Sequence, residues 1–256
     1  MTMLEARNLR KQFGSLLATD DVSLQFGKEE GEMVFIVGPN GAGKTTLVNL
    51  LTGHLDPDEG SVVISSDGEE RDITGMEPRE RVDIGIVRSF QIVQVFEEMT
   101  VRENVRIAVL SQHGLQGSMR THHDRHEAVE AEVEELIQEF GLEDDADAIA
   151  EELPHGDRKL LDVAMSFGLD PDYLLLDEPT SGVGTREKER VIETVVEVSN
   201  TQNVTTVTIE HDMDIVSAYA DRLIALHQGA VYAEGSPDLL ETDDDLRRVL
   251  LGVGAE

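Results

Sequence analysis

The chain has 256 residues, of which 53 are Asp or Glu and 21 are Lys or Arg, so its formal net charge is −32. The absence of cysteine excludes disulfides, thiolate catalysis and cysteine zinc sites, and the acidic balance excludes free nucleic acid as a partner because phosphate binding needs a basic face. Such a surface is tolerated in molar salt, where the screening length is about 3 Å, and therefore predicts the salt-rich cytoplasm of a halophile.

The first forty residues predict three β-strands. Short apolar runs at 4–9, 22–26 and 33–37 alternate with turn residues, which is typical of strands. The third run is apolar throughout, as expected for a strand buried on both faces. The sequence has no signal-peptide pattern, and none of its apolar runs is long enough to span a bilayer. We therefore expect a cytoplasmic chain, with any membrane part of its function supplied by another protein.

A phosphate-binding loop follows the third strand. Its spacing is Gly-x-x-x-x-Gly-Lys-Thr, and apolar residues with helical spacing come directly after it. In such a loop the glycines let backbone N–H groups face the phosphates, and Lys44 adds a full charge at the β and γ phosphates. Thr45 would place its hydroxyl on Mg²⁺. The predicted nucleotide-binding residues are Gly38, Pro39, Asn40, Gly41, Ala42, Gly43, Lys44, Thr45 and Thr46.

The middle of the chain changes to a helical pattern. One apolar stripe between 101 and 140 predicts an inserted helical lobe, interrupted by a polar surface loop at 111–124. Two histidines four residues apart, His122 and His126, could hold a metal, although structural zinc usually takes four ligands, which favours a solvated linker. The residues of the apolar stripe are Val129, Val133, Leu136, Ile137 and Phe140.

Two further buried strands are predicted at 173–176 and 204–209, with a long helix at about 185–200 between them. This alternation predicts an α/β fold with a mostly parallel sheet. The first of these strands ends in two adjacent carboxylates. Because neighbouring side chains at a strand end can point differently, we expect Asp177 to hold Mg²⁺ and Glu178 to be the general base for the attacking water.

These motifs together resemble an ATP-binding cassette, the ATPase subunit of an ABC transporter, along essentially the whole chain. The resemblance implies a P-loop NTPase (RecA-like) core with an N-terminal antiparallel β subdomain, formed by about 1–90 and 158–256. It also implies an inserted helical subdomain at about 91–157. ATP and Mg²⁺ are the ligands that this resemblance implies.

The same resemblance assigns three more site residues. Phe13 would stack on adenine, Gln91 would contact Mg²⁺ and the attacking water, and His211 would contact the γ phosphate. The expected catalytic residues are then Lys44, Gln91, Glu178 and His211. The expected metal ligands are Thr45, Gln91 and Asp177.

The signature segment of the family, a variant of Leu-Ser-Gly-Gly-Gln, here has the sequence Leu-Pro-His-Gly-Asp. The resemblance implies that Pro154, His155 and Gly156 face the γ phosphate of ATP held by a second cassette. Pro154 departs from the pattern because it removes a hydroxyl and a backbone donor. Asp157 departs because it adds a negative charge near phosphate, unless its side chain turns away to cap the helix.

A further departure is Gly184, which stands where the family usually has an Asp or Asn that helps to order the partner's site. Slow or partner-dependent hydrolysis would be one consequence, and a subunit that only binds ATP is the alternative. A soluble cassette ATPase of DNA repair or translation is a rival class. It is disfavoured because the chain has one cassette, no coiled-coil heptads and no basic patch.

The segments at 85–104, 209–214 and 226–229 resemble cassettes of branched-chain amino acid importers. Cassettes of urea and short-amide importers share most of these sequence motifs, so the sequence leaves both substrate classes as alternatives. The implied partners are transmembrane permease subunits, a second identical or different cassette and, indirectly, an extracytoplasmic solute-binding protein, with this chain on the cytoplasmic face of the membrane. One group of apolar residues would either receive a permease helix or belong to the core of the lobe: Ile92, Val93, Val95, Phe96 and Met99.

Overall fold

The computed structural model describes residues 2–27, 31–66, 68–89, 95–114 and 123–250, with the side chains of 123–126 left out. Within these ranges the chain forms two β-sheets and a set of helices. Among the described residues, no helix is both long and apolar enough to cross a bilayer.

The first sheet is antiparallel and lies mostly at the N-terminal end of the chain, in the strand order β2-β1-β4-β5. Its first two strands alternate buried and more exposed side chains over much of their length, which is typical of a sheet with one solvated face. The predicted strands at 4–9 and 22–26 are confirmed and are longer than their apolar runs. The strands are β1 (Thr2–Phe13), β2 (Leu16–Phe26), β4 (Glu59–Ser66) and β5 (Glu69–Asp72).

The second sheet has the order β10-β9-β3-β8-β7-β6, in which all neighbours are parallel except β10 and β9. The mostly parallel sheet is therefore confirmed, and its three central strands are buried along their whole length. Its strands are β3 (Met33–Val37), β6 (Ile86–Arg88), β7 (Tyr173–Asp177), β8 (Thr205–Ile209), β9 (Arg222–His227) and β10 (Ala230–Gly235).

The parallel sheet lies between two apolar cores. Val34 and Ile36 of β3 pack into the core shared with the antiparallel sheet and α1 (Lys44–Leu51). Met33, Phe35 and Val37 alternate with them and pack into the core shared with the other helices. This two-sided burial explains why the strand is apolar at every position.

The predicted inserted lobe is confirmed by two helices at 101–112 and 123–139, which pack into the second core with helices from later in the chain. All five residues of the predicted stripe are buried, and Phe140 packs with its ring centre 5.4 Å from that of Phe167. These helices are α3 (Val101–Gln112), α4 (His123–Glu139), α5 (His155–Phe167), α6 (Thr185–Gln202) and α7 (Met213–Tyr219). Shorter helices are α2 (Pro78–Val82), α8 (Leu239–Thr242), α9 (Asp244–Leu250) and the 3₁₀ turns Glu143–Asp145 and Ala150–Glu152.

Two predicted boundaries need correction. The polar loop expected at 111–124 is shorter, because α3 continues to Gln112 and α4 begins at His123; residues 115–122 lie outside the described part. His122 belongs to that part and the His126 side chain is not described, so the metal hypothesis is not tested. The apolar spacing after the signature segment predicts a helix at 158–167, but the helix begins three residues earlier, at His155, with Pro154 as its N-cap.

Candidate nucleotide site

The candidate site lies at the carboxyl ends of β3, β7 and β8. Parallel neighbours end at the same edge of a sheet, so the loops that follow these strands converge. The phosphate-binding loop follows β3, Asp177 is the last residue of β7, and His211 comes two residues after β8. The pairing of Ile36 and Asp177 with Ile209 brings the three strand ends into register.

The phosphate-binding loop keeps its shape because two of its glycines touch backbone. A Cβ on Gly38 would lie 2.2 Å from the carbonyl oxygen of Leu226. A Cβ on Gly43 would lie 2.2 Å from the carbonyl oxygen of Ala18, and its φ of +101° is in the left-handed region. Any larger residue at these positions would push the loop away from the neighbouring strands.

Lys44 opens α1 and points back into the loop. Its ammonium donates to the carbonyl oxygens of Gly38 at 2.7 Å and Pro39 at 3.1 Å. Burial lowers the pKa of Lys44, while the carboxylates of Glu178 and Asp177 oppose that shift. The structure thus brings the cation and both predicted catalytic carboxylates into one electrostatic environment.

Asp177 is almost fully buried and is paired with Arg88 at the end of β6. The Arg88 Nη2 atom lies 3.1 Å from Asp177 Oδ2, with side-chain exposures of 9% and 2%. Arg88 also donates to the side-chain oxygen of Asn49 in α1. Burial raises the pKa of Asp177, and the nearby guanidinium opposes that shift. One Asp177 oxygen is therefore held by Arg88, which fixes the direction of the carboxyl group.

Glu178 and His211 form a direct pair. The Nε2 atom of His211 lies 2.9 Å from Glu178 Oε1, and an ionised carboxylate can only accept, so the ring N–H donates. Glu178 has a φ of +52°, a left-handed conformation that is uncommon outside glycine. Both residues line an open cleft of about 450 Å³ together with Thr180, Lys188, Glu210 and Asp212.

The remaining residues of the predicted site are arranged around this centre. Thr45 is exposed and Thr46 is half-buried, both in the first turn of α1, and Asn40 and Gly41 are exposed on the loop while Ala42 is buried. Phe13 at the end of β1 is 46% exposed, with the Lys11 ammonium 5.9 Å from its ring centre. Gln91 lies outside the described residues, so its predicted contacts with metal and water remain a prediction.

The signature segment forms the start of α5. Pro154 and His155 are exposed, whereas Gly156 is buried, with the Glu187 side chain 3.4 Å from the position of a Cβ. Asp157 does not cap the helix, because its carboxylate lies 2.7 Å from Arg190 Nη2 of α6. The helix α6 itself begins at Gly184 without a side-chain cap.

The residues expected near a permease divide into two groups. Phe96 is 47% exposed and Met99 is 38% exposed, so both are available to a partner. Val95 is partly buried and packs against the core of the helical lobe. Ile92 and Val93 lie outside the described residues.

Three residues near the centre escaped the sequence-based prediction. Arg88 could have been suspected, because a charged residue at the end of a buried strand needs a partner. Thr180 and Glu210 flank Glu178 and His211, but nothing in the sequence shows that they touch. Their contact depends on two loops more than 25 residues apart, which only the folded sheet brings together.

Comparison with known proteins agrees with this geometry. A family model described as ABC transporter matches residues 20–181. The chain is 36% identical over 255 residues to LivG of Salmonella typhimurium, a high-affinity branched-chain amino acid transport ATP-binding protein, with 98% of each chain covered. BraF of Pseudomonas aeruginosa, which has the same description, is 36% identical over 256 residues with the same coverage. A solved ATP-binding cassette of an ABC transporter in its ADP conformation has a TM-score of 0.81 at 32% identity, covering 98% of this chain and 99% of that one.

Proposed function

Because this chain belongs to the ABC transporter family and is an ATP-binding, ATP-hydrolysing cassette, we propose that it powers the import of branched-chain amino acids through separate permease subunits. The observation that carries this proposal is the 36% identity to LivG and BraF along 98% of the chain. The cytoplasmic face of the membrane is the corresponding location.

Within the site, ATP phosphates would bind the backbone N–H groups of the loop and the start of α1, with Lys44 at the β and γ phosphates. Phe13 would stack on adenine. Glu178 would accept a proton from the attacking water, and His211 would hold Glu178 in place through its ring N–H and contact the γ phosphate. The bond between these two side chains supports their joint role, because it fixes the base before substrate arrives.

Mg²⁺ fits the oxygen atoms that this site presents. The hydroxyl of Thr45 and the carboxylate of Asp177 are hard ligands of the kind that Mg²⁺ binds, and Arg88 orients the carboxylate. When bound, Mg²⁺ would neutralise charge on the phosphates. Gln91 would complete the set.

A second cassette and the permease are the proposed partners. Two cassettes would close around two ATP molecules, with Gly156 and its neighbours facing the partner's γ phosphate, and hydrolysis would let them part. Phe96 and Met99 would contact a short permease helix. The departures at Pro154, Asp157 and Gly184 leave the symmetry of such a pair to experiment.

Reconstitution tests this proposal. The chain would be combined in vesicles with permease and binding protein subunits of a branched-chain amino acid importer, in molar KCl, and uptake of labelled leucine would be compared with uptake of urea and acetamide. ATP-dependent leucine uptake that is lost with Glu178→Gln is expected. Uptake of urea or acetamide alone would favour the other importer class, and ATP hydrolysis without any transport would contradict an importer.

We also propose that the acidic surface is adapted to high salt. The net charge of −32 produces self-repulsion that only concentrated salt screens. Thermal unfolding in increasing KCl should show a rising Tm up to molar concentrations. A Tm that is independent of KCl would contradict a halophilic source.

A further inference from the structure

One buried carboxylate joins the loops that carry Glu178 and His211. The hydroxyl of Thr180 donates to Glu210 Oε1 at 2.6 Å, and the backbone N–H of His211 donates to Glu210 Oε2 at 3.1 Å. Thr180 is 2% exposed and Glu210 is 3% exposed, so both side chains are almost fully shielded from solvent at the edge of the cleft. Each oxygen of Glu210 thus holds a different loop.

The loop after β7 needs such support. Glu178 has a left-handed backbone, which is strained for a residue other than glycine and persists only where the surroundings enforce it. Its N–H donates to Ile209 O at 3.1 Å, and its own carbonyl accepts from Ser181 N at 3.0 Å. Thr180 belongs to this turn, and the hydrogen bond from its hydroxyl to Glu210 connects the turn to the loop after β8.

Glu210 is kept at this depth by more than hydrogen bonds. Lys159 of α5 is also buried, and burial lowers its pKa while Asp162, Glu178 and Glu210 oppose that shift. A buried carboxylate is stable only with such compensation. Lys159, on the helix that begins at the signature segment, therefore shares the electrostatic environment of Glu210 with the carboxylates of Asp162 and Glu178.

We propose that Glu210 is a positioning residue for ATP hydrolysis, which clamps the turn of Glu178 and the backbone of His211 so that their side chains stay bonded to each other. This inference rests on the proposed roles of Glu178 and His211. Both described hydrogen bonds of the Glu210 carboxylate go to the protein and its side chain is almost fully buried, so its loss should lower kcat without weakening nucleotide binding.

The test uses the full-length chain in molar KCl and two matched pairs of variants. Glu210→Gln removes one acceptor and the charge, and Glu32→Gln does the same to a buried carboxylate that pairs with Arg222 away from the site. Thr180→Val removes the hydroxyl donor, whereas Thr180→Ser keeps it. We expect Glu210→Gln and Thr180→Val to lower kcat about tenfold to hundredfold, since small displacements of reacting groups have effects of this size. Affinity for a fluorescent ATP analogue should be retained, and the two control variants should behave like wild type.

A second readout needs no bound nucleotide. The ring Cε1–H resonance of His211, identified by its loss in His211→Gln, should shift in Glu210→Gln and Thr180→Val and stay in place in both controls. An unchanged His211 resonance in both test variants overturns the proposal, and so does an unchanged kcat when Glu178→Gln is inactive. If Glu178→Gln hydrolyses ATP like wild type, the proposed role of the site fails, and the His211 resonance alone decides whether Glu210 positions His211.

Discussion

At the carboxyl ends of β7 and β8, Asp177, Glu178 and His211 each contact another side chain of the same chain. At the start of α5, Pro154 and His155 are exposed, and Asp157 is balanced by the half-exposed Arg190. The described side chains of the first region are paired within one chain, whereas the second region presents a helix N-terminus outward. This difference supports the proposal that each cassette positions its own hydrolytic residues and offers the start of α5 to a second cassette.

The largest expected effect is on the first region. Glu178→Gln keeps the shape of the side chain but removes the base, so hydrolysis should fall by about 10²- to 10⁴-fold. Nucleotide affinity should remain. Steady-state hydrolysis and equilibrium binding of an ATP analogue measure both, with the exposed Glu189→Gln as control. Equal activity of Glu178→Gln and wild type would show that Glu178 is not the general base.

Next in size is the buried pair beneath the site. Arg88→Met leaves the Asp177 carboxylate buried without its cation, which should lower the free energy of unfolding by about 3–5 kcal/mol. Arg248→Met breaks an exposed pair with Asp245 and should have no measurable effect. Urea unfolding in constant molar KCl compares the two. Similar stability of both variants would mean that the site does not depend on buried charge pairing.

The phosphate-binding loop gives a smaller effect. Gly43 and Gly41 both have a positive φ, so replacing either with Ala should lower the free energy of unfolding by roughly 1–2 kcal/mol. Only the Cβ at residue 43 meets backbone, at 2.2 Å from Ala18 O, and overpacking adds about 1–3 kcal/mol. Gly43→Ala should therefore be less stable and bind the ATP analogue more weakly than Gly41→Ala. Equal stability and equal ATP affinity of the two variants would show that β2 moves to accommodate the added Cβ at residue 43.

The smallest effect concerns the start of α5. Arg190→Met leaves the Asp157 charge without its partner, so ATP-dependent association of the Glu178→Gln chain should weaken about twofold to fivefold, because an ion pair with one exposed member contributes at most ~1 kcal/mol. Asp157→Asn in the same chain should restore association. The difference should shrink from 0.1 to 1 M KCl, as the screening length falls from about 10 to 3 Å. Light scattering measures the association. If the chain with both Arg190→Met and Asp157→Asn associates more weakly than the chain with Arg190→Met alone, Arg190 does not act by neutralising Asp157.

The continuous apolar strands of the parallel sheet were predicted from the sequence, whereas the exposed strand β5 was not. The strands β3, β7 and β8 are continuous apolar runs, because a strand with both faces covered has no polar position. The strand β5 has the sequence Glu-Glu-Arg-Asp and is exposed throughout, so it lacks any apolar alternation to detect. It exists because β4 offers it a backbone edge.

By itself, the sequence determined the local chemistry: a loop with glycines at fixed spacing before Lys44, and two carboxylates after an apolar strand. Such motifs are predictable because they depend on neighbours along the chain. Only the tertiary structure decided which side chains meet, as in the pairing of Arg88 with Asp177, of Arg190 with Asp157, and of Thr180 with Glu210. Those contacts depend on how parallel strands and crossover helices place distant segments side by side, and no local pattern carries that information.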